Sequence, residues 1–326
     1  MGERKQACAD RLLDEAEHAY RLAFASSHTE VMALKRRRDA GRVVEPAKGY
    51  FARSDVYKSL SKRAQAMYLI RAVAQKHPTW IFASFSAALV YGLQVSHRYL
   101  DTVHIVVGSH ERKYKPGGFI TCHQMGDVEP MVVAGIRVTS LFQTLLDCAC
   151  SASFRYGLAV VDSAVHWNLT TVSELKVYFD SCGKRKRGIA TARKVLQWVD
   201  GKSENGGESV ARAVMIELGF VVPELQREVV DPMDSTQVKR VDYYWLLSDG
   251  TEVMAELDGK GKYKGTGDVA KDIEAAIENF SDERLRESHL NLTRALVVRF
   301  SFAQAIDEDY MRRLLTCAGI PLRETS

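Results

Sequence analysis

Asp242, Glu256 and Asp258 sit on two apolar segments separated by a short turn, and their spacing lets three carboxylates meet. Arg240 to Leu247 (Arg-Val-Asp-Tyr-Tyr-Trp-Leu-Leu) and Glu252 to Leu257 read as strands, with Ser248-Asp249-Gly250-Thr251 as the turn of a hairpin. Successive side chains on a strand face opposite ways, so Glu256 and Asp258 project from one face, and the hairpin brings Asp242 beside them. Converging carboxylates repel one another unless a divalent cation neutralises them, and hard oxygen ligands of this kind suit Mg²⁺ or Mn²⁺. Such a cation would carry the chemistry, with Asp242, Glu256 and Asp258 as its ligands. Read singly, Asp242 also fits a turn-closing residue, Glu256 a sheet-edge cap, and the Gly259 to Gly265 stretch a flexible loop.

A glutamate at the head of a helix (Glu208), then Arg240-Val241-Asp242-Tyr243, then Glu256-Leu257-Asp258-Gly259, follow in that order over about 120 residues. This order resembles the PD-(D/E)XK nuclease superfamily, in particular its very-short-patch-repair-endonuclease-like domains. The resemblance implies a restriction-endonuclease-like fold, a mixed sheet flanked by helices. It also implies that Asp242 and Glu256 hold the metal and that Glu208 orients water or joins the metal. One position departs from the pattern. Where the superfamily usually has a lysine two residues after the second acid, this chain has Asp258, followed by Lys260 and Lys262. Lys260 is the first choice for the cation that opposes charge on the phosphate, which completes a catalytic set of Glu208, Asp242, Glu256, Asp258 and Lys260.

The elements that must position these groups are expected as a helix from Glu208 to Gly219, strands at Gln226–Val230, Arg240–Leu247, Glu252–Leu257 and Ala295–Phe300, and a final helix from Ala303 to Cys317. Helices are also expected over Val269–Phe280 and Asp282–Leu290, where Lys271, Arg284 and Arg286 offer positive charge. The turn-rich Gly201-Lys202-Ser203-Glu204-Asn205-Gly206-Gly207 marks the start of this domain, 201–326, and leaves residues 1–200 as a separate region. A length of 326 residues suits two domains at about 150 residues each.

In the first region, Leu12, Leu13, Ala16, Ala19, Tyr20 and Ala23 recur at helical steps over Ala9–Ala25. A second helix is expected from Glu30 to Ala40 with Thr29 as its cap, ending in the run Lys35-Arg36-Arg37-Arg38, and a short hairpin follows at Arg42–Val44 and Gly49–Phe51. A helix with a basic end followed by a small β-wing reads as a winged helix over about 29–56, whose basic run meets DNA phosphates. Basic residues in a last helical turn equally complement the helix dipole. The run Lys184-Arg185-Lys186-Arg187 carries the same two readings, phosphate contact or solvated linker. Beyond it, helices are expected at Ser59–Lys76, Leu141–Cys150, Phe154–Trp167 and Ile189–Val199, and strands at Val103–Val107 and Gly135–Ser140.

Ser84-Phe85-Ser86-Ala87-Ala88 with Tyr91-Gly92-Leu93, Val103-His104-Ile105-Val106, and Gly135 to Ser140 followed by Thr144-Leu145-Leu146-Asp147 resemble the AbiEi-type antitoxin family over roughly residues 29–170. That family joins a winged helix to a domain distantly related to nucleotidyltransferases, here the α/β part at about 57–200. The paired acids that nucleotidyl transfer requires are missing from its strands, so no transfer chemistry is expected there.

Apolar residues make up 46% and charged residues 26% of the chain, with 7 prolines, which is the composition of a folded protein. A net charge of +4 permits a nucleic-acid partner without requiring one. Six cysteines without C-x-x-C spacing favour reduced thiols over a zinc site, and charges interrupt every apolar stretch, so a cytoplasmic location without membrane association is expected. The expectation is therefore an α/β (α+β) protein with nucleic acid, specifically DNA, as partner: a metal-dependent endonuclease with an antitoxin-like front, or a non-catalytic antitoxin or repressor.

Overall fold

The computed structural model describes residues 2–108, 118–258 and 295–324, and the fold is α+β, with several small sheets among helices. The chain divides into two compact units, one comprising Met1–Ser151 and Leu175–Ala192, the other Ala152–Glu174 and Arg193–Ser326. The division differs from the boundary expected near residue 200, because the helix Phe154–His166 is built into the second unit by a buried ion pair described below.

The first unit opens with helix α1 (Gly2–His18), strand β1 (Ala23–Phe24), helix α2 (His28–Asp39) and the hairpin β2 (Val43–Ala47) and β3 (Tyr50–Arg53). The three strands form an antiparallel sheet in the order β1-β3-β2. Ala9, Leu13, Ala16, Ala23, Leu34, Val43 and Phe51 share its core. The helical period expected to run to Ala25 stops at His18. Tyr20 takes a left-handed φ of 50°, and Ala23 and Phe24 then pair with Phe51 and Tyr50. Ser27, not Thr29, caps α2. Its hydroxyl accepts from the Glu30 N–H at 3.3 Å while the Glu30 carboxylate accepts from the Ser27 N–H at 3.0 Å, and this reciprocal box requires a glutamate three residues after the cap.

Helices α3 (Ser54–Ser59), α4 (Lys62–Lys76) and α5 (Ser84–Val90) follow, then the parallel pair β4 (Val103–Val107) and β5 (Ile120–Gln124), the hairpin β6 (Met131–Val133) and β7 (Ile136–Val138), and helix α6 (Leu141–Ser151). Helices α7 (Phe154–His166), α8 (Val172–Cys182) and α9 (Ile189–Trp198) continue the chain. No helix among the described residues is long and apolar enough to cross a membrane.

In the second unit, α10 (Gly206–Glu217) packs on a four-stranded sheet made of β8 (Glu224–Asp231), β9 (Asp234–Leu246), β10 (Glu252–Asp258) and β11 (Leu296–Ser301). The order is β11-β10-β9-β8, with β10 parallel to β11 and antiparallel to β9. The final helix expected over Ala303–Cys317 is two, α11 (Phe302–Ala305) and α12 (Glu308–Cys317), because the Asp307 side chain accepts from the Tyr310 N–H and starts a new helix. Val214, Met215, Tyr243, Trp245, Ala255, Phe300, Met311 and Leu315 form the core between helices and sheet.

Arg212 on α10 and Asp162 on α7 form an ion pair of 2.8 Å with both side chains almost wholly buried, and Asp162 also accepts from the Asp200 N–H at 2.9 Å. Burial, only partly offset by Arg212, raises Asp162 to about 6. A carboxylate with a raised folded-state pKa stabilises the fold less as pH rises through that value. Arg212→Met is therefore expected to cost about 3–5 kcal/mol at pH 8, where it strands a buried charge. The cost should shrink at pH 5, where Asp162 takes up a proton. Urea unfolding of both proteins at the two pH values measures this, and an equal loss at both would contradict it.

Candidate functional site

The site is assembled at the point where the start of α10 meets the β9–β10 hairpin. Asn205 caps α10, its side-chain oxygen accepting from the Gly207 and Glu208 N–H groups at 2.9 and 3.1 Å. Gly207 permits the approach: a Cβ there would stand 3.0 Å from Asn205 Oδ1 and 3.1 Å from Leu257 Cδ2. The first helical turn thus presents Glu208 toward the sheet, and the Tyr243 hydroxyl, wholly buried, donates to the Glu208 carbonyl at 3.0 Å. Glu208 Oε2 accepts from the Glu204 N–H at 2.8 Å, and Oε1 accepts from the Asn205 amide.

Gln226 on β8 joins the two acids. Its amide nitrogen donates to Glu208 Oε2 at 3.1 Å and to Asp242 Oδ1 at 3.3 Å, from a backbone held in the left-handed region at φ 52°. Asp242 Oδ2 accepts from the Leu257 N–H at 2.8 Å. The last registered pair of β9 and β10 is Tyr243 with Ala255, so Asp242 and Glu256 are the next residues along the ladder. Glu208, Asp242 and Glu256 therefore line one open cleft of about 690 Å³, together with Gln226, Arg240 and Arg299.

The electrostatics follow from this crowding. Burial, followed by the neighbouring charge of Asp242, pushes Glu208 up to about 7. On the other side, β11 places Arg299 in register with Glu256. Its Nε donates to Asp258 Oδ1 at 2.9 Å, its Nη2 forms an ion pair with the same oxygen at 2.7 Å, and Nε lies 3.9 Å from Glu256 Oε2. Asp258, expected as a third metal ligand, is thus occupied by a guanidinium.

Among the described residues no group of three His, Cys, Asp or Glu side chains is arranged to hold a metal ion. The donors that remain suit a less demanding ligand set. Mg²⁺ commonly binds through one or two carboxylates and keeps several waters, and Asp242 and Glu256, adjacent on the ladder and facing one cleft, offer two hard oxygen donors.

Lys260 and Lys262 lie outside the described residues, as do the two helices expected between Val269 and Leu290. Each basic run of the first unit is engaged internally in part. Arg37 pairs with Asp10 at 2.7 Å, and Arg38 with Asp39 and Glu45, whose carboxylate Lys35 also stabilises; Arg36 is exposed. Lys186 pairs at 2.8 Å with the buried carboxylate of Asp147, while Lys184, Arg185 and Arg187 are exposed. Gly188, at φ 84°, makes that turn possible, because a Cβ there would collide with the Cys150 carbonyl. The strands β4 and β5 carry no acid and instead bring His104 Nδ1 within 2.8 Å of His123 Nε2, with burial holding His104 down at about 3.

Sequence reasoning missed Asn205, Gln226 and Arg299. Asn205 ahead of a helix ending its first turn in Glu208 is a readable cap signal. Gln226 and Arg299 became functional neighbours only through strand order and register, which the sequence does not display.

No family model matches the chain. It is similar to two proteins of Mycobacterium tuberculosis, uncharacterized protein MT2308 of strain CDC 1551 / Oshkosh and uncharacterized protein Rv2248 of strain ATCC 25618 / H37Rv, each 27% identical over 187 residues. Those residues are 57% of this chain and 65% of each relative, so the match spans just under two thirds of the relatives' length.

The raised Glu208 predicts a pH dependence of stability. Its folded pKa of about 7 lies above the ordinary 4.5, so its contribution is present below about 4.5 and is lost as pH rises to 7. Glu208→Gln is expected to remove that loss: relative to wild type the variant melts higher at pH 8 than at pH 5. Thermal melts across this range in EDTA check it, and parallel curves would refute it.

Proposed function

We propose that the second unit is a metal-dependent phosphodiesterase of the endonuclease class, with DNA as its substrate. The reading is carried by the convergence of Glu208, Asp242 and Glu256, from one helix and two strands, on a single open cleft. Asp242 and Glu256 would hold Mg²⁺ or Mn²⁺, and such a cation, when bound, makes water a nucleophile near neutral pH and polarises the phosphoryl oxygens. The Leu257 N–H fixes the Asp242 carboxylate so that one oxygen stays directed by the backbone. Glu208, whose proton affinity is lifted into the neutral range, is suited to take a proton from a water in the cleft, and Gln226 keeps it aligned with Asp242. The first unit supplies DNA contact through the exposed Arg36, Lys184, Arg185 and Arg187.

A second reading, a DNA-binding antitoxin or repressor that does not cut, is favoured by one observation: Arg299 already neutralises Asp258 beside Glu256.

Supercoiled plasmid and single-stranded DNA incubated with Mg²⁺, Mn²⁺ or EDTA separate the two. Metal-dependent cutting by wild type that falls at least a hundredfold in Asp242→Asn and Glu256→Ala, with both variants still folded, is the expected result. Metal-independent binding to a defined duplex with no cutting would overturn the hydrolase reading in favour of the regulator.

A further inference from the structure

Arg299 is paired with Glu256 in a parallel ladder, and paired residues project from the same face, so its guanidinium enters the cleft beside the two acids of β10. The side chain is 22% exposed, part wall and part lining. Two of its nitrogens, Nε and Nη2, converge on a single oxygen, Asp258 Oδ1, and Asp258 is itself 46% exposed at the cleft rim. An ion pair with so exposed a partner contributes at most about 1 kcal/mol to stability. It does fix the rotamer of a planar, permanently charged fork whose geometry matches phosphate. Glu256, whose Oε2 lies 3.9 Å from the same Nε, is 11% exposed and belongs to the acidic pair that faces the same space. Asp242, Glu256 and Arg299 line the same cleft, so a phosphodiester that reaches the two acids comes within reach of the guanidinium.

We propose that Arg299 is the phosphate-binding residue of this cleft, positioned by Asp258, and that it contacts a non-bridging oxygen of the phosphodiester lying next to Asp242 and Glu256. The assignment rests on the hydrolase reading for its substrate class. It also explains why an aspartate occupies position 258: that residue holds the cation instead of being one.

The test uses the full chain and a short fluorescein-labelled oligothymidylate in Ca²⁺, with anisotropy titrations at several salt concentrations. Arg299→Met should weaken binding about tenfold or more and reduce the slope of log affinity against log salt by about 0.7, the loss of one phosphate contact on a single strand. Arg299→Lys should keep the slope, and Asp258→Asn should weaken binding less than Arg299→Met does, because it loosens the guanidinium without removing it. Arg299→Gln, closer in volume, replaces Arg299→Met if melting curves show that variant unfolded. An unchanged slope in the charge-removing variant, or no oligonucleotide binding by wild type, overturns the proposal. Plasmid cutting is read separately: a wild type that does not cut yet loses slope on Arg299→Met retains the phosphate site and refutes only the hydrolase, whereas a wild type that cuts with an unchanged slope and unchanged kcat/KM in Arg299→Met refutes only the phosphate site.

Discussion

Carboxylates brought together out of bulk water repel, and that repulsion is the constraint around which the second unit is arranged. Glu208 and Asp242 are close enough for each charge to be felt by the other, and Glu256 stands next to Asp242 on the ladder. Each acid is met by groups that stabilise negative charge. Glu208 receives the Glu204 N–H and the Asn205 amide, Asp242 the Leu257 N–H, both share the Gln226 amide, and Arg299 lies beside Glu256 while binding Asp258. Burial first, and the charge of Asp242 after it, still hold Glu208 near neutral, so these donors offset the cost of burying and crowding its charge only in part. Carboxylates that face one open cleft are the kind of surroundings a hard cation neutralises.

Holding such a cluster requires a scaffold that cannot relax away from it. Tyr243 ties the two levels together: its ring lies in the core against Phe300 and Trp245, and its hydroxyl reaches the backbone of Glu208. The helix that carries Glu208 is fixed one turn further on by Arg212 and Asp162, a pair buried so completely that α10 cannot slide without exposing charge to apolar surroundings. Gln226 adds a local cost, since a residue with a side chain is held at φ 52°, and the return is an amide placed between two acids.

The acidic part of the site was legible in the sequence because its information is local. Period-two alternation places Glu256 and Asp258 on one face, a four-residue turn returns the chain toward Asp242, and the start of a helix announces Glu208. The chemistry of Asp258 was not legible in the same way. Its partner Arg299 comes from a strand 41 residues later whose parallel pairing with β10 sets the register. The first unit repeats the lesson in its elements. A helical period continued through Ala23, yet pairing with Phe51 made Ala23 and Phe24 a strand, since a short segment of this kind adopts whichever backbone the neighbouring sheet rewards.

Charge runs are the feature for which sequence is the weakest guide, because a run states how much charge is present and not what balances it. In Lys35–Arg38, Arg37 and Arg38 reach carboxylates on α1, on the end of α2 and on β2, so half of the run is balanced within the first unit. In Lys184–Arg187, Lys186 turns inward to a buried aspartate while its three neighbours point to solvent. Arg299, a single arginine outside any cluster, lies among the acids of the cleft. What a cation does in this chain is therefore set less by how many stand in a row than by the carboxylates that the fold registers against it.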